Sequence, residues 1–243
     1  MNNMYILKRL KKIIPHHIKP KFTKDTELLK WNQQQGQLSS KNIIQKNNTI
    51  KKNNLIKNSG IQTLHINCSF RNYNLKYKEQ KYVLNKSIQY AKNFNKNQSN
   101  FVFLGLPGTG KNHLATAIAK YLISQKKKVC IITISELMLK IKSTFKNTNN
   151  KITEKKFIHY LSNIDLLILD EIGIQTKSQY EKMILHQIID KRYSSNKSTG
   201  ILSNLNTQSI YQLLGRRIMD RINLKNTLWL HFNWKSYRKY YSS

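Results

Sequence analysis

The chain has 243 residues, and its 43 Lys and Arg residues against 11 Asp and Glu residues give a formal net charge of +32. This length accommodates one sizeable α/β domain with a small appendage and excludes a large multidomain assembly. The charge favours a polyanionic partner, but only seven of the basic residues are Arg. Because Lys and Asn are abundant along the whole chain, as an AT-biased genome produces, the charge alone does not establish nucleic-acid binding.

The two cysteines, Cys68 and Cys130, have no C-x-x-C partner, and His65 beside Cys68 has no further ligand nearby in sequence. The sequence therefore predicts neither a disulfide scaffold nor a cysteine metal centre. No apolar stretch approaches the roughly 18 residues of a membrane-spanning helix. Residues 1–7 also lack the apolar core of a signal peptide. We expect a cytoplasmic protein that makes no membrane contact.

The first 58 residues contain only two acidic residues and no strand pattern. Apolar residues at three-to-four spacing predict a basic amphipathic helix over 6–14. A second helix is seeded at 28–31, and a third is predicted from Ser39 or Ser40 to a C-terminal glycine at position 60. The apolar stripe is too sparse to form a core, so we expect these helices to dock on a partner. The alternative is a loosely ordered basic tail.

From about residue 75, strands and helices alternate, which is typical of a parallel sheet with right-handed crossovers. An acidic pair after the third strand and a further strand behind it match the additional-strand class of P-loop ATPases. The chain ends soon after residues 229–234, so no helical lid is expected and the nucleotide would be less enclosed. The predicted strands are 101–104, 129–133, 166–169, 199–203 and 227–232, and the predicted helices between them are 111–124, 135–145, 178–194 and 207–222.

A nucleotide triphosphate cradle follows the first predicted strand, with the spacing G-x-x-x-x-G-K. Glycines let backbone N–H groups turn inward around the β-phosphate, the lysine supplies a cation, and the next helix directs its positive end at the same anion. A ligand-free glycine-rich turn is the alternative, and three converging features argue against it. The predicted nucleotide-binding residues are Gly105, Pro107, Gly108, Thr109, Gly110, Lys111, Asn112 and His113.

Asn112 departs from the usual pattern, in which Ser or Thr offers a hydroxyl to Mg²⁺. A carboxamide oxygen is still a hard ligand, but it sits one atom further out. We therefore expect Asn112 to bind Mg²⁺ more weakly or through water.

Two acidic residues, Asp170 and Glu171, follow the uniformly apolar strand 166–169. Such a strand is buried on both faces, so the acids emerge at its carboxyl end, where parallel sheets place their ligands. We expect Asp170 to bind Mg²⁺ and Glu171 to polarise the attacking water. After the fourth strand, Asn204 is predicted to contact the γ-phosphate or the water. A simple turn role is the alternative for Asn204.

Three of the seven arginines, Arg216, Arg217 and Arg221, lie within six residues of one another. The planar guanidinium grips phosphate or carboxylate in a way that Lys cannot. We predict that Arg221, with Arg217 as second candidate, acts as an arginine finger on the nucleotide of a neighbouring subunit. This role requires the protein to self-assemble. Helix-surface charge paired with Asp220 is the alternative.

Several segments together resemble the DnaC-type loaders of the replicative helicase, a family of lidless AAA+ ATPases, and the resemblance spans essentially the whole chain. On this basis the fold is expected to be a P-loop AAA+ core, with a five-stranded parallel sheet and no lid domain, preceded by a small helical N-terminal domain. The segments are 110–114, 169–173, 215–221 and 229–238, with further similarity at 15–20 and 64–70.

The resemblance implies that residues 1–58 bind the hexameric helicase, that 59–74 form a linker, and that the ATPase domain at 75–243 assembles into a spiral that admits single-stranded DNA. ATP and Mg²⁺ are the implied cofactors. It also marks Asn112 as a feature of this branch, and it places Phe70 and Tyr73 beside the adenine.

The family places DNA-binding residues on the helix after the second strand, which here gives Lys142, Phe145 and Lys146. Phe145 would stack on a base while the two lysines meet phosphates. The alternative has Phe145 in the core and the lysines in water.

The predicted function is ATP-dependent loading of the helicase onto single-stranded DNA, with slow hydrolysis stimulated by DNA and the partner. One alternative is a transposition-helper ATPase that remodels duplex DNA, whose N-terminal part would lack the helicase-binding helices. The other is a nucleotide-sensing DNA-binding adaptor with negligible turnover.

Overall fold

The structure, a computed structural model, describes residues 25–146, 154–173, 178–224 and 226–238. Contacts divide the chain into two units, residues 1–50 and residues 51–243. Its elements are α1 (Asp25–Lys57), α2 (Lys78–Asn97), β1 (Phe101–Gly105), α3 (Lys111–Ser124), β2 (Val129–Thr133), α4 (Ile134–Lys146), α5 (Glu154–Asn163), β3 (Leu166–Ile172), α6 (Gln179–Ser194), β4 (Ser198–Ser203), α7 (Thr207–Leu214), α8 (Arg216–Asn223) and β5 (Leu228–Phe232).

The five strands form one parallel sheet in the order β2-β3-β4-β1-β5. At its centre Phe103 of β1 lies opposite Leu202 of β4 and Leu230 of β5. The predicted five-stranded parallel sheet is therefore confirmed. Because β3, β4 and β1 are neighbours, the acidic pair, Asn204 and the glycine-rich loop all emerge at adjacent strand ends.

Both faces of the sheet are covered by helices. Helices α2 and α3 pack on one face, and α4 to α8 pack on the other. The sequence did not predict α2 or α5. In α2 the buried side chains of Val83, Leu84, Tyr90, Ala91 and Phe94 follow the helical period of three to four residues. Burial of this apolar surface, at about 25 cal/mol per Å², is the main source of stability.

The prediction of two helices between residues 28 and 60 is wrong, because α1 is one continuous helix from Asp25 to Lys57. Gly36 is its only glycine, and a single glycine costs about 1 kcal/mol relative to Ala, which does not end a helix. Leu55 and Ile56, within the second unit, pack against the core on the α2 and α3 face. The predicted helix over 6–14 lies outside the described residues. Exposed apolar side chains on α1 are Leu29, Leu38, Ile43, Ile44 and Ile50.

The segment 59–74, which the sequence predicts as a linker, lies against the ATPase core. The backbone N–H of Ile131 in β2 donates to Ser59 O at 2.7 Å. Ser59 is fully buried, and Tyr73 at the other end of the segment is buried as well. The segment therefore accepts a hydrogen bond from the outer edge of β2, where backbone groups would otherwise be unpaired.

A fully buried arginine, Arg192, ties α6 to two other parts of the core. Its guanidinium donates to the carbonyls of Leu161, Ile164 and Ser198, and Nε donates to Thr199 Oγ1. Burial lowers its pKa to about 9. These carbonyls replace water around a charged group whose burial is costly without partners.

The helix predicted at 207–222 is broken at Gly215, where φ is +79°, into α7 and α8. The prediction of a single helix is wrong at this residue because the left-handed backbone interrupts the hydrogen-bond ladder. In the part of the chain that the structure describes, no helix is long and apolar enough to cross a membrane.

Candidate functional site: the nucleotide cleft

Lys111 begins α3, and its side chain folds back over the glycine-rich loop. Nζ donates to Gly105 O at 2.6 Å, to Leu106 O at 2.8 Å and to Asn204 Oδ1 at 2.8 Å. Burial lowers the pKa of Lys111 to about 8, and the charge of Asp170 opposes this shift. Lys111 thus connects the glycine-rich loop after β1 to Asn204 after β4. The sequence predicts that both residues contact the phosphates of one nucleotide.

Two glycines of the loop occupy positions where a side chain would be strained and would crowd its neighbours. Gly108 has φ of +75°, and a Cβ there would lie 2.1 Å from Ser236 Oγ. Gly110 has φ of +97°, and a Cβ there would lie 2.8 Å from the Tyr73 ring. The left-handed backbone favours glycine at both positions.

Asn112 and Asp170 are in direct contact. Asn112 Nδ2 donates to Asp170 Oδ2 at 2.6 Å, and the backbone N–H of Glu171 donates to Asp170 Oδ1 at 2.7 Å. Burial raises the pKa of Asp170, while these two hydrogen bonds and Lys111 oppose the rise. Asp170 offers carboxylate oxygens and Asn112 a carboxamide oxygen, which are hard ligands of the kind that Mg²⁺ prefers, so the donor set fits this ion.

Glu171 is exposed and has a left-handed backbone, with φ of +59°. It lies where the pairing of β3 with β4 shifts register, between Leu169 and Ile172. A non-glycine residue in this conformation costs of order 1–3 kcal/mol and is retained mainly at functional sites. The irregularity turns Glu171 toward the cleft while Asp170 remains buried.

These groups line one cleft of about 690 Å³, within the size range of small-molecule sites. Gly105 contributes its carbonyl to Lys111. Thr109 is buried behind the loop, with Oγ1 donating to Leu106 O at 2.8 Å. The predicted residues on the cleft surface are Pro107, Gly108, Gly110, Lys111, Asn112, His113, Asp170, Glu171 and Asn204.

The segment after β5 also reaches the cleft, which the sequence did not predict. Trp234 Nε1 donates to Thr109 O at 2.9 Å, and the N–H of Tyr237 donates to Gly108 O at 2.8 Å. Tyr237 and Arg238 line the cleft. In the sequence, only the aromatic and basic residues of segment 233–238 indicated that it could take part in the site. The path by which this segment returns to the glycine-rich loop depends on the tertiary fold.

A further wall of the cleft comes from the segment 59–74. His113 Nε2 lies 2.9 Å from Ser69 O and 3.1 Å from Asn72 Oδ1. Tyr73, which the resemblance places beside the adenine, lines the cleft. Phe70 instead packs against Tyr121, with ring centroids 6.5 Å apart. His65 and Cys68, for which the sequence predicts no metal site, also line this wall.

The predicted finger residues are away from the cleft of their own chain. Neither Arg217 nor Arg221 is among its described lining residues. Both side chains contact Asp190 of α6, with Arg221 Nε 2.6 Å from Oδ1. Asp220 pairs instead with Arg216, at 3.9 Å.

Of the predicted DNA-binding residues, Lys142 is exposed on α4. The side chains of Phe145 and Lys146 lie outside what the structure describes. Ile141, beside Lys142, is fully buried and anchors this helix to the sheet.

Known proteins resemble the chain along almost its whole length. The profile of the family described as "IstB-like ATP binding protein" matches residues 42–243. The "Replicative helicase loader DnaC" of Buchnera aphidicola subsp. Baizongia pistaciae is 55% identical over 238 residues, 98% of this chain and 96% of the relative. The protein of the same name from Escherichia coli K12 is 46% identical over 233 residues, 96% of this chain and 94% of the relative.

A solved structure described as "Crystal structure of the DnaC helicase loader" has a TM-score of 0.61 at 24% identity. The match covers 70% of this chain and 99% of that one. This likeness confirms the P-loop AAA+ fold that the sequence predicts. By its profile match and its identity to these relatives, the chain belongs to the IstB-like ATP-binding proteins and, among them, to the DnaC-type replicative helicase loaders.

Proposed function

We propose that this chain binds the hexameric replicative helicase and uses ATP to load it onto single-stranded DNA. The observation that supports this most is the extent of the relatives. They match 96–98% of the chain, including the N-terminal segment that lies outside the ATPase core. A transposition helper would share the core without that segment, so the full-length match favours the loader.

The ATPase chemistry follows from the groups that meet in the cleft. Lys111, held by three oxygen acceptors, would exchange them for the β- and γ-phosphates. Asp170 and Asn112 would hold Mg²⁺, which neutralises charge on the phosphates when it is bound. Glu171 would orient and polarise the attacking water, and Asn204, 2.8 Å from Lys111 Nζ, would contact the γ-phosphate.

Arg221 and Arg217 would act on the nucleotide of a neighbouring subunit. Their absence from the described lining of their own cleft supports action in trans. An arginine supplied from outside is worth about 10³- to 10⁵-fold in the rate of phosphoryl transfer. Hydrolysis would therefore be slow in the isolated chain and would increase when DNA or the helicase brings subunits together.

The division of labour along the chain is part of the proposal. Residues 1–58 would bind the helicase, residues 59–74 would link that segment to the nucleotide site, and residues 75–243 would hydrolyse ATP. The protein would act in the cytoplasm. Exposed apolar side chains on α1, such as Ile43 and Ile44, suit a partner surface. Lys142, Phe145 and Lys146 on α4 would hold the DNA strand.

The proposal is tested by loading the cognate helicase onto circular single-stranded DNA and isolating the DNA by gel filtration. We expect helicase on the circle only with this chain and ATP present. Glu171→Gln should bind ATP and hydrolyse it at least 10-fold more slowly, as expected for loss of the general base. Helicase loading that is equal with and without this chain would overturn the proposal.

A nucleotide-sensing adaptor remains the competing account of the same cleft. It predicts that hydrolysis is negligible and does not respond to single-stranded DNA. The exposure of Glu171 to the cleft, on a strained backbone beside Asp170, favours turnover instead.

A further inference from the structure

One carboxylate on α6 binds two arginines on α8. Asp190 Oδ1 lies 2.6 Å from Arg221 Nε, and Asp190 Oδ2 accepts a hydrogen bond from an Arg217 terminal nitrogen at 3.1 Å. The Arg221 guanidinium also lies 5.9 Å from the centroid of the Tyr193 ring. The two arginines are four residues apart, so they occupy one face of the helix.

This cluster differs from an ordinary surface ion pair. The side chains of Asp190 and Arg221 are only 27% and 26% exposed, so water screens their attraction less than at a free surface. The neighbouring pair of Arg216 and Asp220 is 3.9 Å apart, and its side chains are 94% and 60% exposed. Such a pair contributes little, and it provides an internal comparison on the same helix.

The contacts hold both arginines in a defined arrangement within their own subunit. Ordering a free arginine side chain in a binding site costs up to about 2 kcal/mol of rotamer entropy. A side chain that is already held in one conformation loses less entropy when it binds. Asp190 contacts the Nε edge of Arg221, and Arg221 Nη1 donates to Arg217 O at 3.4 Å, so two contacts fix the orientation of this guanidinium. Arg217 is 67% exposed while it is bound to the same carboxylate.

We infer that Asp190 is a positioning residue for trans-acting Arg221 and Arg217. This inference rests on the proposed function, in which these arginines act on a neighbour's nucleotide. Asp190 does not contact the nucleotide cleft of its own chain among the described residues. Its loss should therefore slow hydrolysis without changing how the same subunit binds ATP.

The first test replaces the carboxylate by a carboxamide in the full-length chain. Asp190→Asn should lower kcat for DNA-stimulated ATP hydrolysis by about 10- to 100-fold, as for other misplaced reacting groups, with little change in ATP affinity. Asp220→Asn removes the same charge from the exposed pair and should leave kcat unchanged. Thermal melting of each variant, compared with the wild-type chain as reference, shows whether the variant folds.

The second test separates positioning from a general structural defect. Asp190→Asn subunits keep an intact cleft, so they should regain hydrolysis when mixed with Glu171→Gln subunits, which keep intact arginines. In the double variant with Arg221→Ala and Arg217→Ala, the further change Asp190→Asn should cost nothing more, because its targets are gone. If Asp190→Asn does not fold, Asp190→Glu replaces it in both tests.

The outcomes distinguish the inference from the function on which it rests. Normal kcat in Asp190→Asn, or a further loss in the arginine-deficient background, would overturn the positioning role. If Arg221→Ala subunits regain activity on mixing and Asp190→Asn subunits do not, the trans finger stands and only the role of Asp190 fails. If Arg221→Ala itself hydrolyses ATP normally, the proposed finger fails.

Discussion

The Asn112 amide nitrogen donates to the Asp170 carboxylate at 2.6 Å, so the residue that replaces the usual Ser or Thr is hydrogen-bonded to an acid near the carboxyl end of β3. This contact orients the amide and opposes the rise in the pKa of Asp170 that burial produces. In the proposed site Asn112 would therefore have two roles: its nitrogen stabilises the ionised acid, and its oxygen would bind Mg²⁺.

Substitutions at position 112 separate these two uses. Asn112→Ala should raise the Mg²⁺ concentration needed for half-maximal nucleotide binding by roughly 10-fold, or about 1.4 kcal/mol, because it removes both an oxygen ligand and the hydrogen bond that opposes protonation of Asp170. Asn112→Ser should lower that concentration relative to Asn112→Ala, since its hydroxyl restores an oxygen ligand. Magnesium titration with a fluorescent ATP analogue measures both, and Asn85→Ala, at an exposed position on α2, is the control. Equal magnesium dependence of all variants would remove Asn112 from the metal site.

Lys111→Ala should abolish nucleotide binding, because it removes the cation that Gly105 O, Leu106 O and Asn204 Oδ1 hold at the glycine-rich loop. Binding of the helicase through the N-terminal segment should persist. Equilibrium binding of labelled ATP and a pull-down with the helicase measure the two properties, with Lys92→Ala as a matched exposed control. Joint loss of both properties in a folded variant would show that the division of the chain is wrong.

The lowered pKa of Lys111, about 8, predicts a pH dependence of nucleotide binding. A bound triphosphate favours the charged lysine and raises its pKa, so binding takes up a proton above pH 8. The association constant should be level below pH 8 and should fall up to 10-fold per pH unit above it. The phosphate's own second pKa, about 6, lies below this window.

Calorimetry in buffers of different ionisation enthalpy measures that proton uptake. Lys111→Arg stays charged throughout and should show weaker binding without the fall above pH 8. A wild-type affinity that is constant from pH 7.5 to 9.5 would contradict the prediction.

Arg192→Ala should be severely destabilising. It leaves several carbonyls of the α5 to β4 region without a donor, and each unsatisfied buried group costs about 1–3 kcal/mol. We expect a loss of at least about 3 kcal/mol in the free energy of unfolding, with a smaller loss for Arg192→Lys, which keeps a donor. Urea denaturation measures this, and Gln187→Ala on the exposed face of α6 should change stability by less than about 0.5 kcal/mol. A near-neutral Arg192→Ala would refute the structural role.

The centre of the cleft could be predicted from the sequence, because its functional groups lie at or just after the carboxyl ends of buried strands. Uniformly apolar runs predicted β1 and β3, and parallel pairing then brought Lys111, Asp170 and Asn204 together without further information. The walls were not predictable in the same way. Tyr237 and His65 reach the cleft through irregular segments, whose paths depend on tertiary packing rather than on a local period. The N-terminal helices were misjudged because a sparse apolar pattern rich in Lys and Asn does not mark where one helix ends.

The central claim is that this chain is a helicase loader, and the most direct measurement is co-purification with the replicative helicase of the same cell. The full chain is compared with a chain lacking residues 1–50. This boundary retains Leu55 and Ile56, which pack into the core. We predict a stable complex with the full chain, and loss of that complex with retained ATP binding in the shortened chain. Absence of a complex with the full chain in every nucleotide state would contradict the claim, while the nucleotide cleft would stand.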